Sequence, residues 1–118
     1  MVVDDDQINR ALALAMLDKL GIAAESAACG EDAVTRVSAG DVDIVLMDMQ
    51  MPGMDGVQTT HFIRGLEIRQ PCIIALTANA YENDRVRCMD AGMDDFMAKP
   101  FRFEVLREKL AALMPLQP

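Results

Sequence analysis

Apolar and polar positions along this chain follow two alternating rhythms. Short runs of consecutive apolar residues suit strands covered on both faces. Longer stretches repeat apolar residues every three or four positions, as one face of a helix does. Met1-Val2-Val3 predicts a short strand that ends on Asp4-Asp5-Asp6. From Gln7 to Leu20, Ile8, Leu12, Ala15, Met16 and Leu20 fall at helical spacing, with Asp6 placed to cap the start and Gly21 to stop the end. Ile22 to Ala28 predicts a weak, alanine-rich strand, and Glu31 to Ala39 a short helix stopped by Gly40. Val42 to Met47 is the clearest strand. A helix starts near Val57 and fades before Gln70-Pro71, and Cys72 to Leu76 forms a fourth strand followed by Thr77. Tyr81 to Ala91 reads as a helix stopped at Gly92, and Asp95 to Ala98 as a fifth strand leading into Lys99-Pro100. The last helix, from Phe103 to about Met114, buries Phe103, Leu106, Leu110 and Leu113 before Pro115 ends it.

Five strands alternating with five helices predict an α/β fold, a parallel sheet with helices on both faces, doubly wound through right-handed crossovers. The 118 residues are long enough to close one core, so 1–118 reads as a single domain. Composition leaves that picture intact, since 52% apolar and 25% charged residues match globular proteins and not disordered ones. The net charge of −8 argues against nucleic acid as a direct ligand, because duplex binding needs a basic footprint. It suits cations or basic partner surfaces instead. No apolar run reaches the roughly 20 residues that span a bilayer and no signal peptide is visible, so a cytoplasmic protein without a membrane segment is expected. Cys29, Cys72 and Cys88 are odd in number and lack metal-ligand spacing, which reads as small buried hydrophobes in a reducing compartment. Most of the ten methionines are expected to fill core gaps, with Met51 and Met54 shaping the loop after Asp48.

Candidate chemistry appears at the strand ends. In open α/β sheets, ligands sit beyond the carboxyl ends of the strands. The first strand ends on Asp4 and Asp5, the third on Asp48, the fourth on Thr77, and Lys99 follows the fifth. Each has an ordinary explanation: Asp4 and Asp5 as turn residues ahead of a helix, Thr77 as a common strand residue, Lys99 as a solvated lysine. Taken together they gather three carboxylates, a hydroxyl and an ammonium on one edge. Clustered carboxylates repel, and either protonation or a cation relieves them. An all-oxygen set suits Mg²⁺, which takes one or two carboxylates plus phosphate oxygens. A carboxylate can also act as a nucleophile and form an aspartyl-phosphate, if positive charge surrounds the transferring group. Asp55 reads as a turn residue outside the metal site. His61, the lone histidine, falls on the exposed side of the third helix and is not read as a phosphodonor.

With these residues assembled, the sequence resembles the receiver domain of two-component response regulators and hybrid sensor kinases. The matching stretches are "VVDDD" at 2–6, "DIVLMDMQMPGMDG" at 43–56, "IIALTANA" at 73–80 and "AGMDDFMAKPF" at 91–101, in order and in register over essentially the whole chain. The resemblance implies a flavodoxin-like (βα)5 fold with strand order 2-1-3-4-5. It implies that Asp48 accepts a phosphoryl group from phosphohistidine on a histidine kinase or histidine phosphotransfer domain. Asp5, Asp48 and the backbone carbonyl of Gln50 would ligate Mg²⁺, with Asp4 acting mainly through metal-bound water. Lys99 would pair with Asp48 at rest and with a phosphoryl oxygen afterwards. Thr77 would swing toward the phosphoryl group, with Phe96 rotating inward behind it, although an aromatic there also reads as core. The Lys99-Pro100 bond fits a cis peptide. Small Ala78 leaves the site accessible, and Gln50 and Asn79 occupy positions that tune hydrolysis. The chain would thus assist its own phosphorylation and dephosphorylation without being an enzyme, and any output domain lies outside these residues. One departure is the short first strand, since the family has several residues ahead of the first valines; lower stability is expected from it.

Two rivals remain. A phosphohydrolase of the haloacid dehalogenase type has a second aspartate two residues after its nucleophile, where this chain has Gln50. A pseudo-receiver docks partners without phosphate, but degenerate members have lost an acidic residue or the lysine, and this chain keeps them all.

Overall fold

The computed structural model describes residues 1–78, 82–99 and 101–113. Within them the strands are β1 (Val2–Val3), β2 (Ser26–Ala27), β3 (Ile44–Asp48), β4 (Cys72–Thr77) and β5 (Asp95–Ala98). The helices are α1 (Gln7–Lys19), α2 (Gly30–Val37), α3 (Gly56–Arg64), α4 (Glu82–Ala91) and α5 (Phe103–Leu113). All strand pairs are parallel, in the order β2-β1-β3-β4-β5. This is the flavodoxin-like arrangement expected. Asn79, Tyr81, Pro100, Met114 and Pro115 lie outside the described residues, as does the burial of Leu113.

Alternation of side chains across the pleat divides the core into two layers. Val3, Val45, Met47, Ile73 and Ala75 face one side and pack with Ala33 and Val37 of α2, Ile63 of α3 and Cys88 of α4. Val2, Leu46, Ile74 and Leu76 face the other side and pack with Ala13 and Leu17 of α1 and Leu106 and Leu110 of α5. Covering on both faces is why β3 and β4 are nearly continuous apolar runs. Two-residue β1 is buried between β2 and β3, with Val2 and Val3 both fully inaccessible.

Several boundaries differ from expectation, each for a local reason. Only Ser26–Ala27 of the expected 22–28 strand pairs, and Ile22 and Ala24 instead pack against the α1 side of the core. The third helix ends at Arg64 because side chains intercept its end. Gln70 Nε2 donates to the carbonyls of Ile63 and Leu66 at 3.0 Å each. Arg64 reaches Gly92 O (2.8 Å), Pro71 O (2.8 Å) and Asp94 Oδ2 (3.0 Å), tying α3 to the start of β4 and the end of α4. Asp48 and Thr77, expected just past their strands, are the last paired residues of β3 and β4. Of the cysteines, Cys88 is buried as expected, whereas Cys29 and Cys72 are only half-buried.

The expected face of the first helix is corrected. Ile8 and Leu12 are 77% and 53% exposed and Ala15 is also exposed, while Ala13 and Leu17 are buried. Leu14, Met16 and Leu20 flank the buried stripe. This helix has more apolar positions than one face can bury, and the sheet takes the stripe containing small Ala13. Replacing Leu17 by Ala is therefore expected to cost about 2–5 kcal/mol, and Ile8→Ala less than about 0.5 kcal/mol. Urea unfolding of both variants checks this; equal losses would contradict the assigned face.

Candidate functional site

Register brings the site together. Val2 pairs with Leu46 and Val3 with Met47, so the next residues along β1 and β3 are Asp4 and Asp48. Asp48 pairs with Leu76, so Thr77 lies one step beyond it, and Thr77 pairs with Ala98, so Lys99 lies one step beyond Thr77. The backbone past Asp48 is held by Met49 N–H donating to Leu76 O at 3.0 Å. The start of α3 then packs directly on this tip. A Cβ at Gly56 would lie 2.5 Å from Asp48 O and 2.9 Å from Met49 Cα, so only glycine permits the approach. Asp55 caps α3 through a reciprocal pair with Gln58, accepting from its N–H at 2.9 Å and donating to its Oε1 at 3.0 Å. That is the turn role expected of Asp55. Asp6 likewise caps α1, accepting from Ile8 N (2.8 Å) and Asn9 N (3.1 Å).

Asp48 and Asp4 are each only 2% exposed, while Asp5 is exposed. One carboxylate oxygen from each of Asp4, Asp5 and Asp48 lies within 4.8 Å of the other two. Lys99 Nζ stands 3.0 Å from Asp48 Oδ1 and 3.4 Å from Asp4 Oδ2. Asp48 Oδ1 also accepts from Gln50 N–H at 3.1 Å, and Asp4 Oδ1 from Asp6 N–H at 2.9 Å. Burial pushes the Asp48 carboxyl above its ordinary range, helped by the charge of Asp4 and opposed by the hydrogen bonds from Lys99 and Gln50. For Lys99, burial pulls the ammonium down, but Asp48 and Asp4 outweigh it and hold it above its usual value.

The expected residues thus converge: Asp4, Asp5, Asp48, Thr77 and Lys99 meet at one sheet edge, with Gln50 joined through its N–H. Phe96 is half-buried against the core beside β4, with Lys109 Nζ 5.8 Å from its ring centre. His61 is exposed on α3. Three contributors were not anticipated. Gly56 opens α3 against the β3 tip, and a glycine at a helix start is the readable sign of such a close approach. Arg10 Nη1 donates to Asp4 O at 2.8 Å, and Arg87 lines a cavity beside Thr77; nothing in the sequence signals either. The three carboxylates, two buried and one exposed, offer the all-oxygen donor set that a hard divalent cation takes.

A family model for the response regulator receiver domain matches residues 1–111. The chain is 41% identical over 111 residues to the sensor histidine kinase RcsC of Salmonella typhimurium, covering 94% of this chain but 12% of that kinase. It resembles the receiver domain of the sensor histidine kinase PA1611 from Pseudomonas aeruginosa PAO1, a crystal structure with magnesium coordinated in its active-site cleft. The match has 40% identity and a TM-score of 0.87, over 95% of this chain and 93% of that one. It also resembles a chain in the Saccharomyces cerevisiae co-crystal of the phosphotransfer protein Ypd1 with the receiver domain of Ssk1. There the identity is 26% and the TM-score 0.86, covering 93% of this chain and 83% of the other.

Because the folded Asp48 carboxyl is raised, its contribution to stability is fully present below the unfolded value, about 3.9, and is lost as pH rises through the folded one. Asp48→Asn is therefore expected to stabilise the metal-free chain at pH 7, with the gain shrinking toward pH 4. Lys99→Met, which leaves two buried carboxylates without their counter-ion, moves stability the other way. Thermal melts across pH measure both; matching signs for the two variants contradict the electrostatic assignment.

Proposed function

This chain belongs to the response regulator receiver domain family, and from that membership we propose that Asp48 accepts a phosphoryl group from a phosphohistidine. The observation that carries the reading is the buried Asp48 carboxylate held 3.0 Å from Lys99 within a cluster of two more carboxylates. In the transfer, an Asp48 oxygen attacks phosphorus and the P–N bond breaks. The electron pair returns to the donor imidazole, which leaves neutral because its other nitrogen is protonated. The product is an acyl phosphate on Asp48. Lys99 is suited to follow the new negative charge, moving its hydrogen bond from Asp48 Oδ1 to a phosphoryl oxygen. The hydroxyl of Thr77 would donate to another.

Asp4, Asp5 and Asp48, with the carbonyl of Gln50, would hold Mg²⁺. When bound, the ion neutralises charge that accumulates on the phosphoryl oxygens. Phosphorylation adds about −1.5 to −2 charge to an already anionic edge. Contacts from Thr77 and Lys99 to the phosphoryl group exist only in the modified form, which is the differential stabilisation a population shift requires. Thr77 and Phe96 would reposition together and alter the surface of α4, β5 and α5. The donor would be a histidine kinase or a histidine phosphotransfer domain. Ile8 and Leu12, apolar and exposed on α1, offer it a contact surface beside the site. Among the described residues no helix is long and apolar enough to cross a membrane.

The test is intact mass after treatment with a small-molecule phosphodonor, with and without Mg²⁺. Wild type is expected to gain one phosphoryl group only with Mg²⁺, and Asp48→Asn to gain none. Gain without the ion, or undiminished gain in Asp48→Asn, contradicts the site. Partner affinity measured with and without a phosphoryl mimic separates a switch from a phosphate-independent docking module, for which the two affinities are equal.

A further inference from the structure

The ammonium that meets the Asp48 carboxylate comes from one side of the sheet. Lys99 lines a cavity on the α1 and α5 side, together with Asp4 and Asn9. On the α3 and α4 side a separate cavity of about 430 Å³ opens beside Thr77 and Gln50, bounded also by Met49, Asp55 and Arg87. Among the described residues Arg87 is the one cation lining it. Its position on α4 is set by its neighbour Cys88, which is buried with its Sγ 3.8 Å from the Sδ of Met49, the residue directly after Asp48. Arg87 itself is exposed.

Resting on the reading of Asp48 as phosphoacceptor, we propose that Arg87 is a second phosphoryl ligand, supplied by α4 from the face opposite Lys99. A phosphoryl group on Asp48 sets anionic oxygens beside Thr77, at the wall this cavity shares with the site. A guanidinium, planar and always charged, binds such oxygens through paired N–H donors. The contact forms only after modification. It links the chemistry at Asp48 directly to α4, a route independent of Phe96.

The experiment titrates the whole chain with beryllium fluoride, which mounts a phosphoryl-like group on a carboxylate, in the presence of Mg²⁺ and followed by calorimetry. Wild type, Arg87→Ala, Arg87→Gln, Arg87→Lys and Asp48→Asn are compared, with melts of each unliganded protein. Loss of one charge-assisted contact is expected to weaken Arg87→Ala and Arg87→Gln by about tenfold, with partial recovery in Arg87→Lys, and with cooperative unliganded melts showing that each variant is folded at the titration temperature. Affinities of Arg87→Ala and Arg87→Gln within about twofold of wild type would overturn the proposal while leaving Asp48 intact. If wild type takes up none, or Asp48→Asn takes up as much as wild type, the phosphoacceptor reading fails and this proposal falls with it.

Discussion

Two carboxylates, Asp48 and Asp4, are buried within reach of a single ammonium, Lys99, and much of the architecture serves to keep them there. The arrangement is not at rest. Burial and mutual repulsion push against ionisation of Asp48, and Lys99 and Gln50 N–H only partly offset them. With exposed Asp5 completing the cluster, three carboxylates stand against the one ammonium of Lys99 paired with them among the described residues. That imbalance is what supports the proposed uptake of a cation at this edge.

The fold makes such tension sustainable. Helices on both faces leave the middle of β3 and β4 to apolar side chains, so polar groups collect where the strands run out. Parallel register then brings residues from four distant stretches of chain to the same end of the sheet, within two steps of one another. Gly56 allows α3 to press against the backbone of Asp48 and Met49, which fixes the tip of β3. Arg64 and Gln70 close the far end of α3 with hydrogen bonds to β4 and α4, so that helix is held at both ends.

How legible this was in the sequence depends on which force decided each feature. The apolar runs 42–47 and 72–76 and the strand-end residues were readable because strand burial and the carboxyl-end rule act on local sequence. The sheet order came from resemblance, since alternation alone does not fix it. The buried face of α1 was misread because its apolar residues form more than one stripe, and only packing against Val2, Leu46 and α5 selects Ala13 and Leu17. The shortness of β2 and the early end of α3 depend on tertiary contacts, such as those of Arg64 with Gly92 and Asp94, that no local pattern signals. Arg87 was invisible for the same reason: a charged helix residue reads as solvated until the cavity it lines is seen.

Asp48 sits in a charge-strained pocket, and on the function proposed above a divalent cation would relieve it. The most direct measurement is a carbon-detected NMR titration of side-chain carboxyls, with the Asp48 signal assigned by its loss in Asp48→Asn. Without metal, the midpoint is expected above the ordinary aspartate range, and Mg²⁺ should bring it down. An ordinary midpoint that ignores Mg²⁺ would contradict the account.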